Sequence, residues 1–323
     1  VQAGEQALAK FAFEQARVEF ARAIAAIGDT ADQQHYGAAY FGLGRAQLAT
    51  IEYVIGVQNL KNAFDWYLDA GMMEEALRAA EEPMPTMAAF GDATPALEMV
   101  RAGISIASES DRPEGRLLAN LGNLEALQNG DYEKGADAFK AAMSIAERDN
   151  DLPLRMRLLT LSGLVSVYHA AFTDGGEVAI EDSEQAIALA REAGDLHTEV
   201  VATYGATLTR LVRLDTTASR EEKIARQILP TAERMGDWLH LGRLLFVIDL
   251  ACVAQGRWEA AAEAGERAIA LAYPVAFLAR ISAARYLGNI EMAFRLRDQI
   301  KQWADSAPSG PTVEALSYAM TLI

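Results

Sequence analysis

The sequence predicts an all-α fold, namely a right-handed superhelix in which antiparallel helix pairs stack one after another. Three observations predict it: a composition rich in helix-forming Ala and Leu, a small residue that recurs inside successive helices, and Gly-Asp dipeptides that follow those helices. Runs of alternating Val, Ile and Thr are missing, so β-strands have little support. At 323 residues the chain is long for one compact core, which also favours a repeating architecture.

The recurring small residue sets the period of the repeat. It is Ala or Gly, it stands where two helices would cross closely, and by subtraction successive positions lie 36 to 46 residues apart. Such a spacing is typical of solenoids built from helix pairs. The positions are Ala23, Ala63, Gly103, Ala142, Ala186, Ala232 and Ala268.

Glycine marks the predicted helix ends. A glycine can adopt the left-handed conformation that closes a helix, and the aspartate after it can begin the next turn. The dipeptides that follow helices in this way are Gly28-Asp29, Gly194-Asp195 and Gly236-Asp237.

A second kind of turn lies inside each predicted pair. A glycine is followed two residues later by a large apolar residue, and small residues stand three and ten positions beyond the aromatic one. This pattern resembles the tetratricopeptide signature, which implies tetratricopeptide-like helix pairs. The turns are Gly130-Asp131 before Tyr132, Gly256-Arg257 before Trp258 and Gly288-Asn289 before Ile290.

The charge balance argues against nucleic acid as a direct ligand. The formal net charge is −16, and an acidic surface repels phosphate backbones. The single cysteine, Cys252, cannot form an internal disulfide, which fits a reducing compartment, and we expect the cytoplasm. No signal-peptide pattern opens the chain, and its most apolar stretch, 244–254, is too short to span a bilayer, so we expect no membrane association.

Motifs for catalysis or cofactor binding are missing, so we expect no enzyme, no cofactor and no metal. The sequence has no Gly-Lys dipeptide for a phosphate-binding loop and no Gly-x-Ser-x-Gly elbow. Its histidines, His35, His169, His197 and His240, are far apart and lack metal-ligand spacing. Cys252 lies between Ala251 and Val253, which indicates a small core residue rather than a reactive thiol.

A candidate binding groove follows from the repeat geometry. In a superhelix of this kind the first helices line the concave face. Their inward positions carry many arginines, whose forked donors suit carboxylates and phosphates. The predicted ligand is therefore a small anionic inducer, an acidic peptide or an acidic protein surface. The predicted groove residues are Arg45, Arg116, Asn120, Asn123, Arg157, Thr160, Tyr168, Thr203, Arg210, Arg243, Arg285 and Tyr286.

The alternative is that acids of the adjacent repeat neutralise these arginines. One such acid is Asp249, which stands where earlier first helices have a small residue. A lone buried carboxylate is unfavourable, so we expect a buried arginine beside it, such as Arg285.

The order of several motifs suggests a family. The series resembles the helical-repeat C-terminal region of large bacterial ATPase regulators, the LuxR-type activators of the maltose-activator kind; its segments are 62–71, 75–83, Gly91, 97–103, 130–133, 190–195 and 308–311. The resemblance implies a non-catalytic sensor or scaffold domain that binds an inducer or protein partner. It also implies ATPase and DNA-binding domains in a parent protein, of which residues 1–323 would be a single superhelical fragment. A free-standing peptide-binding or protein-binding adaptor is the alternative.

The C-terminus has two readings. Residues 312–323 are expected to form a terminal capping helix. Their apolar side chains could instead form the edge of a homodimer, because the end repeat of a solenoid lacks a neighbour. These side chains are Leu316, Met320, Leu322 and Ile323.

Overall fold

The computed structural model describes residues 1–27, 33–86, 91–170, 176–214, 216–271 and 276–306, without the side chains of 33–34, 168–170, 176–177, 303–304 and 306. All regular elements in these ranges are α-helices, so the predicted all-α class is confirmed. The predicted capping helix 312–323, its apolar edge and the Gly28-Asp29 turn lie outside the described residues.

The chain divides into two compact units, Val1–Leu154 and Arg155–Ile323. The continuous superhelix over 1–323 therefore stays a prediction. The helices that begin in the first unit are α1 Gln2–Leu8, α2 Phe13–Ile27, α3 Gln33–Ala49, α4 Tyr53–Asp69, α5 Met73–Glu81, α6 Thr94–Glu109, α7 Gly115–Leu127, α8 Tyr132–Arg148 and α9 Leu152–Ala170. Those of the second unit are α10 Gly176–Ala193, α11 Leu196–Arg213, α12 Ala218–Met235, α13 Trp238–Ala254, α14 Trp258–Ala270, α15 Ala276–Tyr286 and α16 Ile290–Ser306.

Helices of both units pack in sequential pairs. In the first unit α3 packs on α4 and α7 on α8, and in the second α11 packs on α12, α13 on α14 and α15 on α16. The first helices of consecutive pairs also touch, as α5 does with α7 and α13 with α11 and α15. This is the packing order of a helical-repeat array.

Small residues lie at the crossings inside two of the pairs, and one of them, Gly135, stands three positions beyond Tyr132 in the predicted turn pattern. A Cβ added to Gly122 of α7 would lie 2.9 Å from the carbonyl oxygen of Gly135 on α8, so the two backbones are in contact. In α3 and α4 the same relation holds between Gly44 and Gly56. The recurring positions from Ala63 to Ala268 are buried, and Ala23 is the exception because it is half-buried.

The predicted Gly-Asp turns are confirmed where the structure describes them. Gly194 and Gly236 have φ of 70° and 65°, in the left-handed region that favours glycine. Asp195 then caps α11 by accepting from Thr198 N at 3.1 Å, and Asp237 caps α13 by accepting from His240 N at 3.1 Å.

Helix α13 forms the centre of the core in the second unit. The helix packs against α11, α12, α14 and α15, and most of its apolar stretch 244–254 is buried. Cys252 is fully buried there, and burial raises the pKa of its thiol, which confirms the core interpretation. Among the residues described, no helix has the length and apolar character needed to cross a membrane.

Candidate functional site

Two of the predicted groove residues hold the chain segment after α5. The side-chain amide of Asn120 is fully buried; it donates to the carbonyl oxygens of Ala80 at 2.8 Å and Glu82 at 2.9 Å, and its oxygen accepts from Met84 N at 3.1 Å. On the next turn of α7, Asn123 donates to Pro85 O at 3.0 Å. These amides replace the hydrogen bonds that the end of α5 loses, so their observed role is structural.

Replacing Asn120 with Ala should destabilise the protein by about 2 kcal/mol, because buried backbone groups lose their partners. Urea denaturation followed by circular dichroism measures this change. Gln299→Ala, at an exposed position on α16, is the control and should be nearly neutral. An Asn120→Ala variant as stable as the control would contradict the capping role.

Three of the predicted arginines are paired with acids inside their own unit. Arg45 Nε lies 3.3 Å from Glu82 Oε1, and Arg116 Nη2 lies 2.9 Å from Asp151 Oδ2. Arg210 forms an ion pair with Glu184 and lies 3.7 Å from Glu221. Each pair joins a first helix to a neighbouring element, as the alternative interpretation expects. Partial exposure of Arg45 and Arg116 leaves their guanidinium groups within reach of a ligand.

The remaining predicted groove residues differ in exposure. Thr160 and Thr203 are buried, and Arg157 is half-buried. Arg285 and Tyr286 are exposed at the end of α15, where the Tyr286 ring stacks on Trp258 at 4.1 Å. The side chain of Tyr168 lies outside the described residues. A ligand role for the predicted set stays a prediction, and its buried members could meet a ligand only after repacking.

A polar chain that sequence reasoning missed connects α11 to α13. His197 Nε2 lies 3.4 Å from Asp237 Oδ2, and the same carboxylate lies 2.8 Å from Nδ1 of the buried His240. On its other side His240 Nε2 lies 2.9 Å from Nη1 of the fully buried Arg243. Arg243 also lies over the ring of Tyr204, at 5.1 Å from its centroid.

A signal for this cluster does exist in the sequence. Asp195 and Asp237 both follow a glycine helix stop, and they are 42 residues apart, which is one repeat. The first turns of α11 and α13 therefore occupy equivalent places in consecutive pairs. Equivalent places in neighbouring repeats are adjacent, which brings His197 next to His240 although 43 residues separate them in the sequence.

The hydrogen-bond partners of His240 determine which of its two ring nitrogens carries the proton. A guanidinium can only donate, so Nε2 of His240 accepts from Arg243 and Nδ1 carries the proton that is donated to Asp237. Burial lowers the pKa of His240 to about 4, and the charge of Arg243 acts in the same direction although Asp237 opposes both. Burial alone would raise the pKa of Asp237, but His240 and His197 hold it well below its usual range.

The same cluster has the residue types of a metal site. One ligand atom from each of His197, Asp237 and His240 lies within 4.8 Å of the others. However, Nδ1 of His240 is protonated while Arg243 donates to Nε2, so it has no lone pair to offer. The cluster also lies at the N-terminal ends of α11 and α13, where helix dipoles disfavour a cation. The geometry therefore favours a hydrogen-bonded proton network over a metal centre.

The imidazole of His197 should titrate above its ordinary pKa. The side chain of His197 is largely exposed, and partial desolvation by the surrounding protein lowers its pKa, but the hydrogen bond to Asp237 and the charge of that carboxylate outweigh this effect and raise it. Because the folded-state pKa is raised, this contact stabilises the fold fully below the unfolded pKa near 6.5, and the stabilisation is lost as pH rises through the folded value.

Titration of the imidazole resonances by NMR checks this expectation with Asp237→Asn, which keeps an N-cap and removes the charge. The pKa of His197 should fall in the variant and stay unchanged in Asp137→Asn, an exposed control on α8. An equal His197 pKa in wild type and Asp237→Asn would refute the contact.

The partner predicted for Asp249 needs correction. Asp249 is fully buried, and the nearby cation that lowers its pKa is Arg280, which is also buried on α15, whereas Arg285 is exposed. Five residues along a helix turn a side chain by about 140°, which takes Arg285 away from α13. Gly265 of α14 leaves room for the carboxylate of Asp249, since a Cβ at residue 265 would lie 2.5 Å from Asp249 Oδ2. Burial outweighs Arg280 and raises the pKa of Asp249 to about 8.

Comparison with known proteins supports the fold. No protein-family model and no curated protein sequence matches the chain. A Rap protein complexed with competence and sporulation factor superposes with a TM-score of 0.58 and 10% sequence identity, over 83% of this chain and 76% of that one. This likeness confirms the predicted class of tetratricopeptide-like helical repeats. A circular tandem repeat protein with novel repeat topology and enhanced subunit contact surfaces covers 95% of this chain and 85% of its own at 13% identity, but its TM-score of 0.29 is too low to support an argument.

Proposed function

We propose that this chain is a non-catalytic sensor or scaffold domain that binds an inducer or a protein partner. The observation that carries the proposal is the fold shared with the Rap protein, a helical-repeat protein solved in complex with competence and sporulation factor. Within each compact unit, consecutive helix pairs present side chains from neighbouring repeats next to one another, which suits recognition of an extended partner. The exposed or half-exposed members of the predicted groove, Arg45, Arg116, Arg285 and Tyr286, are the first candidates for contact.

We further propose that this chain is the sensor region of a larger protein, a cytoplasmic bacterial transcription regulator of the LuxR or maltose-activator type. The order of motifs from residue 62 to residue 311 supports this proposal. Sequencing the reading frame on both sides of the chain tests it. A nucleotide-binding module before the repeats and a helix-turn-helix after them would support the proposal, and a frame limited to these residues would contradict it.

Selection of a displayed random-peptide library on the purified chain tests partner binding itself. We expect enrichment of acidic sequences, because the exposed arginines form locally positive patches on a protein whose net charge is negative, and such patches attract acidic peptides. The control is the same selection on chain unfolded in urea and immobilised. Failure to enrich any sequence above that control would argue against a peptide-binding or protein-binding role.

A further inference from the structure

A cleft of about 430 Å³ lies along the first half of α12, on a helix that the predicted groove does not include. It is lined by one side of the helix over about two turns. The lining residues are Ser219, Glu222, Lys223, Arg226 and Gln227.

A buried carboxylate organises the floor of this cleft. Glu222 accepts from Arg226 Nε at 2.8 Å, from Gln255 Nε2 at 2.9 Å and from Arg257 Nη1 at 2.7 Å. Its side chain is only 7% exposed. Burial would raise the pKa of Glu222, but these donors outweigh burial and lower it to about 2, so the carboxylate is charged and satisfied at neutral pH. Glu222 thereby holds Arg226 in a fixed position in the cleft and Arg257 beside it.

The cations at the cleft outnumber its acid. Lys223 is exposed, and in the described part of the chain it has no ion pair. The side chains of Arg226 and Arg257 are 48% and 49% exposed, and both share the single charge of Glu222. The neighbouring acid, Glu221, is fully buried and lies near Arg210 and Arg220. The cleft lining has two cations, Lys223 and Arg226, against the one carboxylate of Glu222. Arg257 binds the same carboxylate from outside the lining and brings the charge of this cluster to +2, on a chain whose net charge is −16.

The N-terminal end of α12 adds to the positive electrostatic potential at the cleft. The cleft begins at Ser219, in the first turn of α12, and Thr217 makes no side-chain hydrogen bond to cap that end. The unsatisfied N–H groups of a helix start favour an anion.

We infer that this cleft binds carboxylate side chains of an acidic peptide segment, with Lys223 and Arg226 as the contact residues and Glu222 as the residue that positions Arg226. This inference rests on the proposed partner-binding function and specifies its site and ligand chemistry. The lining residues span about 12 Å along the helix axis, which matches about four residues of extended chain better than one compact ion. Arg forks and lysine ammonium groups form charge-assisted hydrogen bonds with carboxylates.

Calorimetric titration with a blocked hexaglutamate peptide tests the inference on the full chain. In Lys223→Ala/Arg226→Ala the affinity should fall about tenfold or more, because two charge-assisted contacts are removed. The control Lys140→Ala/Arg295→Ala removes the same charge at exposed positions elsewhere, and its affinity should change less than about twofold. Circular dichroism checks that both double variants are folded.

The possible results distinguish a failure of the cleft assignment from a failure of the proposed partner-binding function. Equal losses in the two double variants would show non-specific attraction and overturn the cleft assignment. Competition by inorganic phosphate as strong as that by the peptide would show a small-anion site and overturn the peptide assignment. If library peptides bind the chain but the cleft variants bind them as wild type does, the cleft inference fails while the proposed function stands. An absence of binding by both probes would count against the proposed function itself.

Discussion

Replacing Ala142 with Leu should destabilise the protein by about 3 kcal/mol, whereas the same change at the adjacent Ala141 should alter stability by less than about 0.5 kcal/mol. Ala142 is fully buried on α8, and Ala141 is exposed on the same helix. Ala142 lies seven residues after Gly135, two turns along α8 from the backbone contact between Gly135 and Gly122 of α7. Because the Ala142 side chain is fully buried, three added carbon atoms would have to displace the core atoms around it.

Urea denaturation of the two leucine variants and the wild type measures this difference. The pair shares the amino-acid change, the helix and nearly the same helix propensity, so only burial differs between them. Similar stabilities for Ala142→Leu and Ala141→Leu would show that the recurring small residue is not needed for close packing at this position.

Replacing Asp249 with Asn should make the protein more stable, and more so as pH rises. The folded-state pKa of Asp249, about 8, is above its ordinary value of 3.8, so the folded protein binds a proton that the unfolded chain has released. Stability therefore falls as pH rises between these two values. Because Asn is neutral at every pH, the advantage of Asp249→Asn over wild type should grow by about 3 kcal/mol between pH 5 and pH 8.

Denaturation curves at pH 5, 6.5 and 8 for wild type and variant check this expectation. Asp137→Asn removes the same charge from the exposed side of α8 and corrects for the change in net charge. An advantage that is constant with pH, or that shrinks as pH rises, would mean that Arg280 keeps the buried carboxylate ionised.

Local chemistry made much of the fold predictable. A glycine in the left-handed conformation followed by an aspartate cap needs only neighbouring residues, so the turns at Gly194 and Gly236 could be located from the sequence alone. The small residues at helix crossings were predictable because every repeat brings its two helices into close contact at an equivalent position. The two observed units were not, since the repeat pattern gives no sign of a division near residue 154.

Which side chains face the groove depends on how each helix is rotated about its axis. The sequence does not determine this rotation for α13. That helix is apolar around nearly its whole circumference, so no polar face sets its orientation, and Arg243 lies in the core although the repeat frame places it in a groove. The role of Asn120 depends on carbonyl groups about 40 residues earlier in the chain. Neither contact leaves a local pattern in the sequence.

Partner recognition by this helical-repeat surface is tested most directly by fluorescence anisotropy of a labelled, library-selected peptide, titrated with the folded chain at several salt concentrations. We predict saturable binding of one peptide per chain, with an affinity that weakens steadily as salt rises. A peptide that shows no saturable binding at any salt concentration would contradict the account.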